Sequence, residues 1–153
     1  MSVEIRDEAA DGAAAQALWA EYMAFVADRV EQPPASPEAI FATTDAFGDG
    51  AWIVVYDGGE PVACGGLRRL DRGTGEIKRM FVTAHARGRG HGRRLLAELE
   101  RRAAAAGQRR LRLITTEALG EARQLYEAAG YAVVETPREG ERQDYLMEKR
   151  LTS

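Results

Sequence analysis

Apolar and polar positions change their period several times along the chain, and each change marks an element boundary. Val3 to Arg6 alternate as a short strand does. Leu18, Trp19, Tyr22, Phe25 and Val26 then recur at helical spacing until Pro33 and Pro34 interrupt, and Ser36 to Thr44 is a further helical candidate. Trp52 to Tyr56 and Pro61 to Arg68 are apolar runs joined by Asp57, Gly58 and Gly59, the composition of a hairpin turn. A second turn, Asp71 to Gly75, leads into Glu76 to Val82, so three consecutive strands predict an antiparallel meander.

From Arg87 the period lengthens. A glycine-rich loop opens a helix with Leu95, Leu96, Leu99 and Ala103 on one face, and Gly107 suits its C-terminal cap. A strand follows near Arg110 to Thr115. A second helix sets Ala118, Ala122, Leu125 and Ala129 on one stripe and closes at Gly130. Tyr131 to Glu135 and Tyr145 to Leu151 read as strands, with Pro137 to Gln143 a polar loop between them. Strand, helix, strand in series implies a parallel crossover. The expected fold class is therefore mixed α/β, a central sheet of about six to seven strands flanked by about four helices.

The chain of 153 residues has the size of one domain, so residues 1–153 are read as a single unit. With 45% hydrophobic and 29% charged residues it can bury a core under a solvated surface. Lys plus Arg total 21 against 24 Asp plus Glu, a net charge of -3, the wrong sign for a nucleic-acid partner. Arg109, Arg110 and Arg112 read accordingly as a solvated strand edge. The N-terminus MSVEIRDEAADG has neither a basic flank nor an apolar stretch, and no run approaches the roughly 20 residues that span a bilayer. No membrane partner and a cytoplasmic location are expected. Cys64, the one cysteine, excludes an internal disulfide and is expected to be a buried structural thiol. His85 and His91 are too few for a metal site, so no metal is expected, and a solvated role is expected for both.

Arg87-Gly88-Arg89-Gly90-His91-Gly92 lies between a predicted strand and a predicted helix, where unpaired backbone N–H groups and the positive helix end converge. Glycines let the backbone approach an anion closely, and Arg87, Arg89 and Arg93 add charge at the rim. A diphosphate fits this loop; an arginine-rich surface turn is the plain alternative. A P-loop would require Lys then Ser or Thr after the last glycine, whereas Arg93 and Arg94 follow Gly92. A dinucleotide fingerprint would space its glycines G-x-G-x-x-G with an acid about 20 positions on; here the spacing is G-x-G-x-G and position 112 is Arg.

The segment VTAHARGRGHGRRLL resembles the signature of the GNAT superfamily of N-acetyltransferases: Arg or Gln, two residues, Gly, one residue, then Gly or Ala. Arg87, Gly90 and Gly92 match it. The likeness runs upstream through GEIKRMFV and downstream through ARQLYEAAGYAVVE, covering residues 51 to 135 well; the first fifty residues match in layout alone. The resemblance implies a mixed sheet splayed between its fourth and fifth strands, the acyl-CoA N-acyltransferase fold, with acetyl-CoA as co-substrate in the cleft. It implies that Phe81 and Val82 meet the pantetheine and acetyl group through their backbone. The amides from Gly88 to Arg93, those of Arg89, Gly90, His91 and Gly92 among them, would hold the pyrophosphate. It places Tyr126 where the family has a tyrosine that protonates the departing thiolate. One departure is Leu119, where many members carry an Asn that contacts the cofactor.

Attack of an amine on a thioester requires a base, a donor for the developing oxyanion and an acid for the thiolate. Glu76, at the start of the strand beside the expected cleft, is the candidate base, acting through water; pairing with Lys78 or a nearby arginine is its structural alternative. Tyr126 is the candidate acid, with simple packing as its alternative. A backbone N–H near Val82 is the candidate oxyanion donor. The expected acceptor is a small-molecule amine, lined by Tyr22, Phe25, Arg29 and Tyr145. A non-catalytic acyl-CoA sensor, a protein N-terminus or lysine as acceptor, and a homodimer stay open.

Overall fold

A computed structural model of the chain describes residues 2–10, 12–27, 51–116, 120–139 and 142–151. Its strands are β1 (Val3–Asp7), β2 (Ala51–Asp57), β3 (Glu60–Arg69), β4 (Thr74–Val82), β5 (Arg110–Thr116), β6 (Ala132–Glu135), β7 (Arg138–Glu139) and β8 (Arg142–Arg150). The helices among the described residues are α1 (Ala13–Ala27), α2 (His91–Ala105) and α3 (Gly120–Ala128), with a 3-10 turn at Ala84–Ala86. The helical candidate at 36–44 lies outside the described residues. Among the described residues no helix is long and apolar enough to cross a membrane.

The strands lie in the order β1-β2-β3-β4-β5-β8-β6, the mixed α/β sheet expected from the pattern. β1 to β4 form the antiparallel meander, and α2 carries the chain over to β5, parallel to β4. The second crossover differs from the simple expectation. α3 does not lay β6 beside β5, because β8 enters that slot antiparallel to both. The stretch read as a polar loop is also partly a ladder, since Arg138 pairs with Gln143 and Glu139 with Arg142.

Covering helices on both faces explain the unbroken apolar run of β2. Trp52 and Val54 join Cys64, Phe81, Ala15 and Leu18 of α1 in one cluster. Ile53 and Val55 point the other way, into a larger cluster with Leu95, Leu96 and Leu99 of α2 and with Leu111, Leu113 and Met147. α2 lies close on the sheet because Gly65 has no side chain: a Cβ there would stand 3.3 Å from Leu99 Cδ1 and 3.4 Å from Leu95 Cδ2.

Both predicted glycine caps are present as Schellman motifs. Gly107 (φ 83) donates to Ala104 O at 3.0 Å while Gln108 N reaches Ala103 O at 3.0 Å. Gly130 (φ 102) donates to Glu127 O while Tyr131 N reaches Tyr126 O at 3.0 Å. The second cap sets the Tyr126 and Tyr131 rings edge to face, 6.2 Å apart, and so fixes where Tyr126 sits.

β4 and β5 pair only from Thr74–Arg110 to Glu76–Arg112, then part. Gly75 permits the close approach at the joined end, since a Cβ there would lie 2.1 Å from Gln108 Oε1. Just beyond, the register against β3 slips between Cys64 and Gly66, and Arg79 opposite takes φ 56. A bulge of this kind bends its strand and releases ladder groups. The sheet therefore splays between its fourth and fifth strands.

Leu99→Ala is expected to lower unfolding stability in urea by about 2–5 kcal/mol, the usual cost of a buried cavity. Gly65→Ala is expected to cost less, and the double variant less than the sum of the two, because the new methyl fills space that Leu99 vacates. Additive losses would show that the two residues do not share a packing site.

Candidate active site

The parted strands open a cleft of about 350 Å³. One wall is the end of β4, Met80, Phe81 and Val82; the opposite wall is α3, through Glu121, Ala122, Leu125 and Tyr126. The floor is Ala86, Arg87, Gly88, Gly90, His91, Gly92 and Arg93, and Tyr22 and Phe25 reach in from α1. Of the expected site residues, the structure thus brings together Phe81, Val82, Arg87, Gly88, Gly90, His91, Gly92, Arg93 and Tyr126. Glu76 and Arg89 are not on the cavity wall.

The floor has the form of an anion site. Gly88 and Gly90 both take φ 82, the left-handed region that costs other residues most. A Cβ at Gly88 would meet nothing within 4 Å, so its surface faces open space. Gly90 is the N-cap of α2, yet no side chain caps that end, and its first turn holds no acidic residue. The leading N–H groups and the positive helix end are therefore left for an external anion. Gly92 acts differently from expectation: it lies within α2, and a Cβ on it would stand 2.9 Å from Leu125 Cδ2. Its smallness serves the close packing of α2 on α3.

Arg87 turns inward. Its Nε donates to Val82 O at 3.2 Å, and its guanidinium lies 4.4 Å from the Phe25 ring centroid and 5.9 Å from that of Phe81. Arg89 instead approaches Asp57, Nη1 to Oδ2 3.7 Å. His91 corrects the expectation of a solvated ring. It is 2% exposed and bonded through Nε2 to Asp57 Oδ2 at 3.0 Å. His85 stays at the surface beside Glu60, 3.2 Å away.

The Tyr126 hydroxyl has no hydrogen-bond partner among the described residues. Burial, aided by Tyr22 nearby, raises its pKa well above the ordinary tyrosine value, so the phenol keeps its proton. Glu76 is buried at the joined end of the strands, with Oε1 2.7 Å from Arg68 Nε and 3.7 Å from Lys78 Nζ, the pairing that was its structural alternative. Cys64 is buried, and burial pushes its thiol up to about 12, which suits packing rather than nucleophilic attack. Tyr22 and Phe25 reach the cleft as expected, whereas Tyr145 lies under Arg123, 4.0 Å from its ring centroid. Arg29 and Leu119 lie outside the described residues.

Sequence reasoning did not find Glu121 on the cavity wall, the left-handed Arg79, or the role of Asp57. The first sits on a recognisable helix face beside Ala122. Nothing local signals the other two, since a bulge and a contact across 34 positions arise only in the fold.

A family model described as Acetyltransferase (GNAT) family matches residues 13–131. An IAA acetyltransferase of Azospirillum brasilense is 38% identical over 101 residues, 65% of this chain and 66% of that protein, so the match spans just under two thirds of the relative's length. A solved structure from Klebsiella pneumoniae subsp. pneumoniae, assigned as an acyl-CoA N-acyltransferase, is 27% identical over 98% of each chain with a TM-score of 0.76. The structure of yncA from Salmonella typhimurium, assigned as an acetyltransferase and solved with its cofactor acetyl-CoA, shares the fold: 18% identity, a TM-score of 0.78, and coverage of 100% of this chain and 96% of that one.

The two glycines of the loop predict opposite responses to a methyl group. Gly90→Ala is expected to lose about 1–2 kcal/mol of stability from the left-handed backbone. Gly92→Ala is expected to lose less, because a flexible leucine end can yield and alanine regains about 1 kcal/mol of helix propensity over glycine. Thermal or urea unfolding checks the order, and equal losses would contradict it.

Proposed function

Because this chain belongs to the GNAT family of acetyltransferases, we propose that it moves an acetyl group from acetyl-CoA to a primary amine of a small molecule or amino acid, by direct attack of the amine on the thioester. The observation that carries this reading is the cleft between β4 and β5, floored by an uncapped helix end and walled by a buried, protonated Tyr126.

Bound in this cleft, acetyl-CoA supplies a thioester carbonyl already activated for acyl transfer. The amides of Gly88, Arg89, Gly90, His91, Gly92 and Arg93 hold the pyrophosphate, with Arg93 adding charge at the rim. The edge of β4 at Phe81 and Val82, which has no β5 partner, aligns the pantetheine through backbone groups, as an added strand would. A backbone N–H near Val82 faces the carbonyl oxygen as negative charge builds there. Tyr126 Oη gives its proton to the departing sulfur. Glu76 receives the ammonium proton through water, since it is not among the residues of the cavity wall. Glu121, a carboxylate on the wall itself, is the second candidate for that proton.

A small acceptor suits a cavity narrowed by Tyr22 and Phe25, and the 38%-identical relative is named an IAA acetyltransferase. A thiol-release assay against amino acids, polyamines and aminoglycosides tests the reading. Turnover on an amine supports it, whereas turnover on peptide N-termini or lysines alone would move the acceptor to a protein.

Tyr126→Phe is expected to lower kcat about 100-fold, a typical share for a positioned acid. A phenol with a raised pKa stays protonated to higher pH, so the wild-type kcat should show no loss of this acid below about pH 10, the ordinary tyrosine value. An unchanged kcat in Tyr126→Phe would remove the acid role. Glu76→Gln is expected to lower turnover on amines while the protein stays folded. Unchanged turnover there, with loss in Glu121→Gln, would assign the base to α3.

A further inference from the structure

Beside the anion loop runs a polar chain, buried at Asp57 and His91 and open to solvent at Arg89 and Arg94, whose side chains the proposed chemistry does not use. His91 Nε2 lies 3.0 Å from Asp57 Oδ2, and its Nδ1 lies 3.3 Å from Arg94 Nη1. The same Nη1 donates to the Arg89 carbonyl at 2.8 Å. Arg89 returns toward the start, its Nη1 3.7 Å from Asp57 Oδ2. The Asp57 and His91 side chains are only 9% and 1% exposed.

A carboxylate oxygen faces Nε2 and a guanidinium donor faces Nδ1, an arrangement that suits an imidazole donating at Nε2 and accepting at Nδ1. The two contacts together set its ring orientation. A carboxylate under an anion site opposes anion binding by charge alone, so its placement needs another reason. The chain supplies one: it ties the end of β2 to the first turn of α2 and engages the Arg89 carbonyl, which would otherwise be free to face an incoming anion.

The geometry points to Asp57, His91 and Arg94 as positioning residues that hold the Gly88 to Arg93 amides in the arrangement that receives the diphosphate of the acyl donor. This rests on the loop being the acetyl-CoA site. The chain acts on recognition of the diphosphate and not on the acyl-transfer step.

The test compares two acyl donors and one ligand-free readout in His91→Ala, His91→Leu, His91→Gln and Asp57→Ala. S-acetylpantetheine lacks the diphosphate, so the ratio of kcat/KM for acetyl-CoA to that for S-acetylpantetheine isolates the loop. In His91→Ala, His91→Leu and Asp57→Ala this ratio and the affinity for CoA are each expected to fall about tenfold, the scale of one hydrogen bond to a charged group. His91→Gln, whose amide offers an N–H and an oxygen on one head, is expected to recover most of the loss. Hydrogen exchange at the Arg94 amide, which bonds to Gly90 O at 3.0 Å, is expected to quicken in the Ala and Leu variants without any ligand. Equal falls for both donors, tighter CoA binding in Asp57→Ala, or unchanged Arg94 exchange would each overturn the proposal. Failure of the wild-type protein to bind CoA would instead overturn the functional reading, and Arg94 exchange would still decide whether the chain braces the loop.

Discussion

β4 and β5 share a parallel ladder over Thr74 to Glu76 and then separate, which leaves backbone donors and acceptors on an inner strand without strand partners. Buried backbone polar groups are otherwise almost always paired, so an opening in the middle of a sheet invites an extended ligand with its own amides. Sequence holds the opening in place from both ends. Gly75 lets the strands meet closely against Gln108, and the bulge at Arg79 turns β4 away. The cleft is thus a consequence of strand geometry, and α2 and α3 line it because the crossovers on either side of β5 bring them there.

The electrostatics of the cleft follow from where those helices begin and end. α2 starts at the floor with an uncapped, acid-free first turn, which offers N–H groups and positive potential to an anion. α3 ends at a Schellman cap that places Tyr126 on the wall, where desolvation keeps its phenol protonated. In the proposed reaction, anion binding and proton donation would therefore sit on different elements, each set by a helix terminus.

Much of this was legible in the chain. The hairpin from Trp52 to Arg68, the α2 face of Leu95, Leu96, Leu99 and Ala103, and the caps at Gly107 and Gly130 all depend on local periodicity or on glycine's freedom at positive φ. The loop from Arg87 to Gly92 was legible because its glycines and its place before a helix carry a local physical meaning. What stayed hidden is non-local. β8 inserts between β5 and β6, and no period in the sequence states strand order. His91 looked solvated because its partner Asp57 reads as part of a turn until the fold brings the two together. Glu76 offered a carboxylate at the right strand, and only the register set it opposite Arg68.

The account stands on the loop at the start of α2 receiving a CoA diphosphate. Calorimetric titration of the purified protein with acetyl-CoA, repeated with S-acetylpantetheine, tests it most directly. The account predicts saturable binding of acetyl-CoA that weakens sharply when the diphosphate is absent. No binding of acetyl-CoA, or equal affinity for the two, would contradict it.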